Sequence, residues 1–266
     1  MTKENTSYPL VSIIMNCHNG QEFLEEAIKS VLSQKYQNWE LIFWDNFSTD
    51  NSKKILQEFS DERIKYFKSN KFTNLYEARN LAIEKSKGEY IGFLDTDDLW
   101  ATDKLQKQID FFKKNKEFKI VYSNYYILED RKNKKYIKHK NPLPSGSITQ
   151  KLLNHYSLGV LTVLLKKTIF DKFKFNNTYN IIGDFDFFII LSQIFEIASI
   201  QEPIASYRVH SSNYSSKKIK TYIDELKYWF KINEKQLKEK GFNINQQKFL
   251  LFKLRIKFFL RNFFKF

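Results

Sequence analysis

Along the first hundred residues a short apolar run, a polar loop and an amphipathic stretch follow one another repeatedly. The run from Pro9 to Met15 is apolar at nearly every position, which predicts a strand buried on both faces. Between Glu22 and Gln34, Phe23, Leu24, Ala27, Ile28, Val31 and Leu32 recur at helical spacing. Trp39 to Trp44 predicts a second buried strand. The Ser/Thr/Asp-rich turn 45–50 suits a cap for a helix over Ser52 to Phe59, and Ile64 to Phe67 predicts a third strand. Asn74 to Lys87 predicts a helix, and Tyr90 to Leu94 a fourth strand that stops at Asp95. Farther on, Leu105 to Phe112 and Phe185 to Phe195 have helical patterns. Phe118 to Tyr122 and Leu161 to Leu165 read as strands, Lys132 to Lys140 as a basic loop or hairpin, and Ala198 to Val209 as extended chain. From Tyr222 to Phe266 the pattern is helical and basic.

Strands alternating with helices predict an α/β fold with a mostly parallel sheet and right-handed crossovers. In such sheets ligands bind beyond the carboxyl ends of the strands. Three predicted strand ends carry polar clusters: Cys17-His18-Asn19, Asp45-Asn46 and Asp95-Thr96-Asp97-Asp98. All three are expected to converge on one edge.

Composition narrows the class. The 266 residues suffice for one large domain, or a domain with an appendage, and 42% hydrophobic content suffices for a sizeable core. With 7 Gly and 4 Pro, repeats, collagen and long disordered linkers are excluded. The net charge of +14 points to an anionic partner, and it is uneven: acids outnumber bases over residues 1–100, so the positive excess lies beyond them. Cys17 is the one cysteine, which rules out an intramolecular disulfide and fits a reducing cytoplasm. The first apolar run is too short for a signal peptide, and no uncharged run reaches the roughly 18 residues of a membrane span.

The carboxylates after the fourth strand carry the chemistry. Two at i and i+2 past a buried strand can face a hard cation, and oxygen ligands suit Mg²⁺ or Mn²⁺. Such a cation can neutralise the charge of a departing diphosphate. Helix capping explains one of these aspartates but hardly three. Haloacid-dehalogenase-type phosphatases also place Asp-x-Asp after an apolar strand, but near the first strand and with Thr or Val where Leu99 stands here.

From Val11 to Trp100 the chain resembles a family 2 glycosyltransferase of the GT-A fold. The matching stretches are Val11-Ser12-Ile13-Ile14 with Asn19, Trp44 to Ser52, Ala78-Arg79-Asn80, and Gly88 to Asp98. Weaker likeness continues through Gly183-Asp184-Phe185-Asp186 and Tyr207-Arg208-Val209-His210 to about residue 215. The resemblance implies an inverting, metal-dependent transfer from a nucleotide sugar, UDP-linked by default, to a glycan or lipid-linked acceptor in surface polysaccharide or glycoconjugate synthesis. It implies a GT-A domain over 1–215, with a nucleotide-binding half (1–100) and an acceptor-binding half (101–215), and a basic helical extension over 216–266.

The resemblance also implies roles for single residues, each with a plainer alternative. Asp45 would bind the base, or cap the next helix. Cys17, His18 and Asn19 would line the nucleoside, with His18 stacking on the base or merely solvated; Asn16 stands where the family usually has proline. Arg79 would meet the diphosphate or a site carboxylate, or pair with Glu77 or Glu84. Asp95 and Thr96 would contact the donor, and Asp97, with Asp95, would ligate Mn²⁺ or Mg²⁺. His210 would join the metal or pyrophosphate, or serve structurally. Asp184 matches the catalytic base, with N-capping as its alternative, Asp186 as its rival, and Gly183 where the family usually has Glu. Trp100 and Asp98 would line the acceptor site; Trp100 equally suits the core, and Asp98 a helix cap. A non-catalytic sugar-nucleotide or glycan-binding subunit of the same fold is the alternative function.

Residues 246–266 hold six Lys/Arg and no acid, with Phe249, Phe252, Ile256, Leu260 and Phe263 on one helical face. Such a helix can lie in an anionic membrane interface, peripheral at the inner face of the cytoplasmic membrane, or dock on protein. The basic stretch 131–140 could grip phosphates, but no nucleic-acid motif accompanies it and no nucleic-acid partner is expected.

Overall fold

The computed structural model describes residues 8–210 and 218–263. Strands β1 (Val11–Cys17), β2 (Trp39–Asp45), β3 (Ile64–Lys68) and β4 (Tyr90–Phe93) are mutually parallel in the order β3-β2-β1-β4. Helices α1 (Leu24–Leu32), α2 (Ser52–Gln57) and α3 (Leu75–Lys85) connect them. Every residue of β2 is buried and nearly all of β1, as expected for parallel strands covered on both faces. Two of the buried groups are polar and paired: Glu40 accepts hydrogen bonds from Ser12 Oγ and Lys87 N, both at 2.6 Å. Helix α3 starts at Asn74, whose side chain accepts the Glu77 N–H at 2.8 Å.

The second half contributes β5 (Leu99–Trp100), α4 (Lys104–Lys114), β6 (Ile120–Glu129), β7 (Lys134–Ile137), α5 (Thr149–Asn154), β8 (Leu164–Lys166), α6 (Gly183–Ser192), β9 (Ile197–Val209), α7 (Ile219–Glu239) and α8 (Asn245–Phe263). The sheet continues from β4 through β8, β6 and β9 to β5, with β7 paired to β6 as a hairpin. This half is mixed: β8 is antiparallel to β4 and β6, while β6 and β9 are parallel.

Three sequence expectations change. The strand expected over Leu161–Leu165 is a 3₁₀ turn over Val160–Thr162 followed by the short β8. The strand expected to end at Tyr122 runs to Glu129, because β9 pairs along its length. The helical stretch from Tyr222 is two helices, broken at Gly241, whose φ of 82° lies in the left-handed region that glycine occupies most easily. The stretch beyond 263 and the boundary near 215 lie outside the described residues.

Leu226, Trp229, Phe230, Leu237 and Ile244 join the same apolar cluster as Phe185, Phe187 and Phe188 of α6. Helix α8 meets that cluster through Leu250, Leu251 and Leu254, and Gln247 donates to the Leu153 carbonyl at 2.9 Å. On its opposite side Phe249, Phe252, Ile256, Phe259 and Leu260 are exposed. At 3.6 residues per turn, Lys248 and Arg255 flank this outer apolar row on one side, and Lys253 and Lys257 on the other. Among the described residues no helix is long and apolar enough to cross a membrane.

Candidate active site

Sheet register brings the strand ends together. Cys17 pairs with Asp45, and Ile14 with Phe93, so the loops after β1, β2 and β4 open on one edge. The pairing of β5 with β9, Leu99 opposite Ser206, then carries Tyr207, Arg208 and His210 onto the carboxylate turn 95–98. Three cavities run along this edge and share walls. A cleft of about 330 Å³ is lined by Cys17, His18, Asn46, Phe72, Thr96 and Asp97, among others. It shares Leu75, Asp95, Asp97 and Asn180 with a cavity of about 430 Å³ that also holds Arg79, Tyr76 and Asp184. That cavity shares Tyr156, Ile181 and Asp184 with a third, of about 510 Å³, walled by α7 and α8.

The carboxylate turn divides its labour. Asp95 receives the buried Arg79 guanidinium, whose Nη2 lies 2.9 Å and 3.2 Å from its two oxygens. Arg79 therefore meets a site carboxylate, its cation packed among the rings of Tyr76, Phe93 and Phe175. Asp97 Oδ2 lies 2.9 Å from His210 Nε2. Burial, helped by the charge of Asp95, raises the Asp97 carboxyl above the usual range, against the pull of His210. Asp98 neither caps a helix nor offers a free carboxylate: it is buried, accepts the Arg208 N–H at 2.9 Å, and is pushed well upward by that burial.

Arg208 organises the turn. Its guanidinium pairs with Asp130 at 2.9 Å and Glu26 at 2.7 Å, and its Nε donates to the Asp97 carbonyl at 3.0 Å. One side chain thus ties α1, the β6–β7 connection and β9 to the backbone of Asp97. It stood in the Tyr207-Arg208-Val209-His210 stretch, but sequence reasoning gave it no role.

Asp45 is not among the residues that line these three cavities. Its Oδ1 accepts the Ser48 N–H and its Oδ2 the Tyr66 hydroxyl, both at 2.7 Å, so it holds the 45–48 turn beneath the cleft. Asn19, at φ 55°, accepts the Thr49 N–H at 2.8 Å and ties two loops together. Cys17 is buried, and burial raises its thiol pKa. His18 donates through Nδ1 to the Asn46 carbonyl at 3.0 Å, and its ring stands 4.5 Å from that of Phe72, which is 58% exposed at the cleft mouth. Phe72 is a site aromatic that no sequence pattern singled out.

Trp100, expected at the acceptor site, is a core residue. It is 4% exposed, its Nε1 donates to the Leu161 carbonyl at 2.8 Å, and the buried Lys104 ammonium lies 3.9 Å from its ring. The ring packs against Gly92, which leaves room for it.

Asp184 and Asp186 face different ways. Asp186 is buried against α7, where it accepts Trp229 Nε1 at 2.9 Å; burial pushes its carboxyl up to about 6. Asp184 lies at the wall common to the second and third cavities, and burial raises its carboxyl, opposed by Arg79 and a 3.3 Å contact from the Tyr76 hydroxyl. Tyr76 also explains Gly183. A Cβ at 183 would stand 2.5 Å from the Tyr76 ring, so glycine is what that ring position permits. The loop that leads into α6, and so to Asp184 in its first turn, is held from α7: the buried Glu225 carboxylate accepts the N–H groups of Asn180, Ile181 and Ile182 at 2.6, 2.9 and 3.1 Å.

Among the described residues no three of His, Cys, Asp and Glu are grouped to hold a metal unaided, so Asp95, Asp97 and His210 are not a preformed three-residue centre. The donor chemistry fits a divalent cation in another way. Mg²⁺ and similar ions are commonly held by one or two carboxylates with substrate phosphates completing the shell. Asp95 and Asp97 line a cavity beside a guanidinium, which suits that shared arrangement.

A parallel half joined to a mixed half, with Asp-x-Asp where they meet, is the architecture of the GT-A fold. The chain belongs to glycosyl transferase family 2, whose model matches residues 12–187. It is 36% identical over 213 residues to the Escherichia coli UDP-Glc:alpha-D-GlcNAc-diphosphoundecaprenol beta-1,3-glucosyltransferase WfgD, covering 79% of this chain and 81% of that protein. It is 30% identical over 230 residues to the putative teichuronic acid biosynthesis glycosyltransferase TuaG of Bacillus subtilis, covering 85% and 88%. In fold it is similar to Staphylococcus aureus TarS 1–349 solved with UDP-GlcNAc, with a TM-score of 0.69 and 14% identity over 81% of this chain and 64% of that one. It is similar also to the Pyrobaculum calidifontis mannosyltransferase PcManGT solved with GDP-Man and Mn²⁺, with a TM-score of 0.63 and 15% identity over 85% and 64%.

Proposed function

We propose that the protein is an inverting, divalent-cation-dependent glycosyltransferase that moves a sugar from a UDP donor to a lipid-diphosphate-linked sugar during surface glycan synthesis. The observation that carries this reading is the run of three contiguous cavities, with Asp95 and Asp97 at the first junction and Asp184 at the second. The relatives' names supply the chemical classes: WfgD and WfaP of Escherichia coli are named for UDP-glucose and a diphosphoundecaprenol acceptor.

The nucleoside takes the smallest cleft, against Cys17, Thr96, the His18–Phe72 ring pair and the turn built on Asp45 and Asn19. The diphosphate lies toward Asp97 and Asp95, with Arg79 behind Asp95. Asp95 and Asp97 would hold Mn²⁺ or Mg²⁺ together with that diphosphate, and the ion would supply positive charge to the leaving group. The acceptor hydroxyl oxygen bonds to the anomeric carbon from the side opposite the diphosphate. The anomeric carbon–oxygen bond breaks with its electron pair leaving on UDP, and the hydroxyl proton goes to Asp184. A single displacement of this kind inverts the anomeric centre. His210 orients Asp97. The outer face of α8, apolar with basic flanks, rests on the anionic inner surface of the cytoplasmic membrane, where a lipid-linked acceptor resides.

The test is a panel of nucleotide sugars scored for hydrolysis and transfer with and without Mn²⁺. One UDP-sugar is expected to be hydrolysed in a cation-dependent manner, and chelation or Asp97→Ala to abolish turnover with the thermal melt retained. Full activity of Asp97→Ala would remove the central claim. Asp184→Asn is expected to lose transfer at least a hundredfold while donor affinity stays within about twofold.

A further inference from the structure

The third cavity has a composition the transfer reaction alone does not require. Its floor is the wall that bears Asp184, and its far side is α8, through Gln246, Phe249, Leu250 and Lys253. The Lys253 ammonium lies 4.3 Å from the Phe249 ring centroid, and Phe249 is 51% exposed, so this rim carries an apolar ring and a cation side by side. The rim continues into the outer row Phe252, Ile256 and Phe259, and residues 245–263 include no acid. A cavity with a base at its floor, a cation at its mouth and an apolar track beyond matches three parts of one molecule in order.

We propose that this cavity is the acceptor site, built for an amphiphilic sugar diphosphate. The terminal sugar enters with its hydroxyl toward Asp184, the diphosphate meets Lys253, and the lipid chain leaves along Phe249 and the outer row of α8. The proposal rests on the lipid-linked reading of the acceptor given above. It makes Lys253 and Phe249 specificity determinants for the acceptor and gives them no part in binding the donor. Order along the chain of cavities follows from this: UDP leaves through the first cleft while the lipid product stays at α8. The product is the same diphosphate lipid lengthened by one sugar.

The experiment uses the full chain in neutral detergent, so that attraction to charged vesicles does not enter. Transfer is measured from the UDP-sugar the enzyme hydrolyses fastest to GlcNAc-diphosphoundecaprenol and to the methyl glycoside of GlcNAc. Lys253→Glu is expected to raise the KM for the lipid diphosphate at least tenfold. Acceptor-free donor hydrolysis, donor KM and the weak reaction with the methyl glycoside should stay unchanged. Phe249→Trp, which narrows the cavity from an exposed position, should raise the same KM. Acceptor KM within twofold of the unaltered enzyme in both variants overturns the assignment, and so does an equal loss with both acceptors. If the unaltered enzyme hydrolyses a UDP-sugar yet transfers to no lipid diphosphate, the lipid-linked reading itself falls, a result separable from the behaviour of the variants.

Discussion

At the scale of single residues, the pair Tyr76 and Gly183 decides how Asp184 is held. Glycine at 183 looks in sequence like a lost carboxylate, but it is the space into which the Tyr76 ring packs. Gly183→Ala should cost about 1–3 kcal/mol of stability, the usual penalty for overpacking, and lower kcat by displacing Tyr76 and Asp184. Tyr76→Leu in that background should restore part of the melting temperature, because the two changes share one site. Equal and additive losses would separate them. As the proposed base, Asp184 must be ionised to take a proton. Burial raises its carboxyl, so activity should rise with pH along a limb above the ordinary carboxylate range. Tyr76→Phe removes a hydrogen bond that favours the ionised form, so the limb should move to higher pH in a kcat profile.

Asp186 provides the contrast. Its folded-state carboxyl, near 6, lies above the unfolded value, so the folded protein holds the extra proton between those limits. Stability then falls as pH rises from about 4 to 6 and stays reduced above that. Asp186→Asn keeps an acceptor for Trp229 and removes the charge, so it should stabilise the protein by roughly 3 kcal/mol at pH 7 and little at pH 4. Denaturant melts at the two pH values check this. Transfer should survive in Asp186→Asn, in contrast to Asp184→Asn.

At the scale of elements, α7 supports the segment 180–182 that leads into α6 and the proposed base Asp184. Glu225 accepts three backbone N–H groups ahead of α6, and Trp229 fixes Asp186 one turn into it. Removing a carboxylate from buried donors leaves them unsatisfied, so Glu225→Ala should lower stability by about 2–3 kcal/mol. It should lower kcat while donor KM holds, which steady-state kinetics on the folded fraction can read. None of this coupling was legible in sequence, since it joins residues some 45 positions apart. What was legible came from local pattern. β1, β2 and β4 announced themselves as largely apolar runs, β3 as a shorter segment of Ile64, Tyr66 and Phe67 broken by Lys65, and Asp95 to Asp98 stood out as polarity directly after β4. The six-residue α5 went unread because it spans under two helical turns. Trp100 stayed undecided between site and core for a related reason: beside a motif, an aromatic reads as either, and the room that Gly92 leaves for its ring is visible only in three dimensions.

At the scale of the whole molecule, sequence periodicity gave α8 one apolar face, and the fold gives it two. Leu250, Leu251 and Leu254 dock on the core, which leaves Phe249, Phe252, Ile256 and Phe259 outward between basic flanks. An inward face anchored in the core means that α8 need not leave the protein to meet a bilayer. The outer face would set the molecule's orientation, with the mouth of the cavity above Asp184 turned toward the lipid. Each Lys or Arg near an anionic surface contributes on the order of 1 kcal/mol at physiological ionic strength, and the apolar row adds a part that salt does not screen. Binding to vesicles containing anionic lipid should therefore weaken with salt without vanishing. Arg255→Glu with Lys257→Glu should weaken it at least tenfold and remove most of the salt dependence. Phe252→Ser with Ile256→Ser should make the remaining binding weaker and more salt-sensitive, since Phe249, Phe259 and Leu260 stay exposed. Because these four side chains are exposed, the thermal melt should be unchanged in both double variants. Co-sedimentation equal to that of the unaltered chain in both would place the membrane-facing surface elsewhere on the molecule.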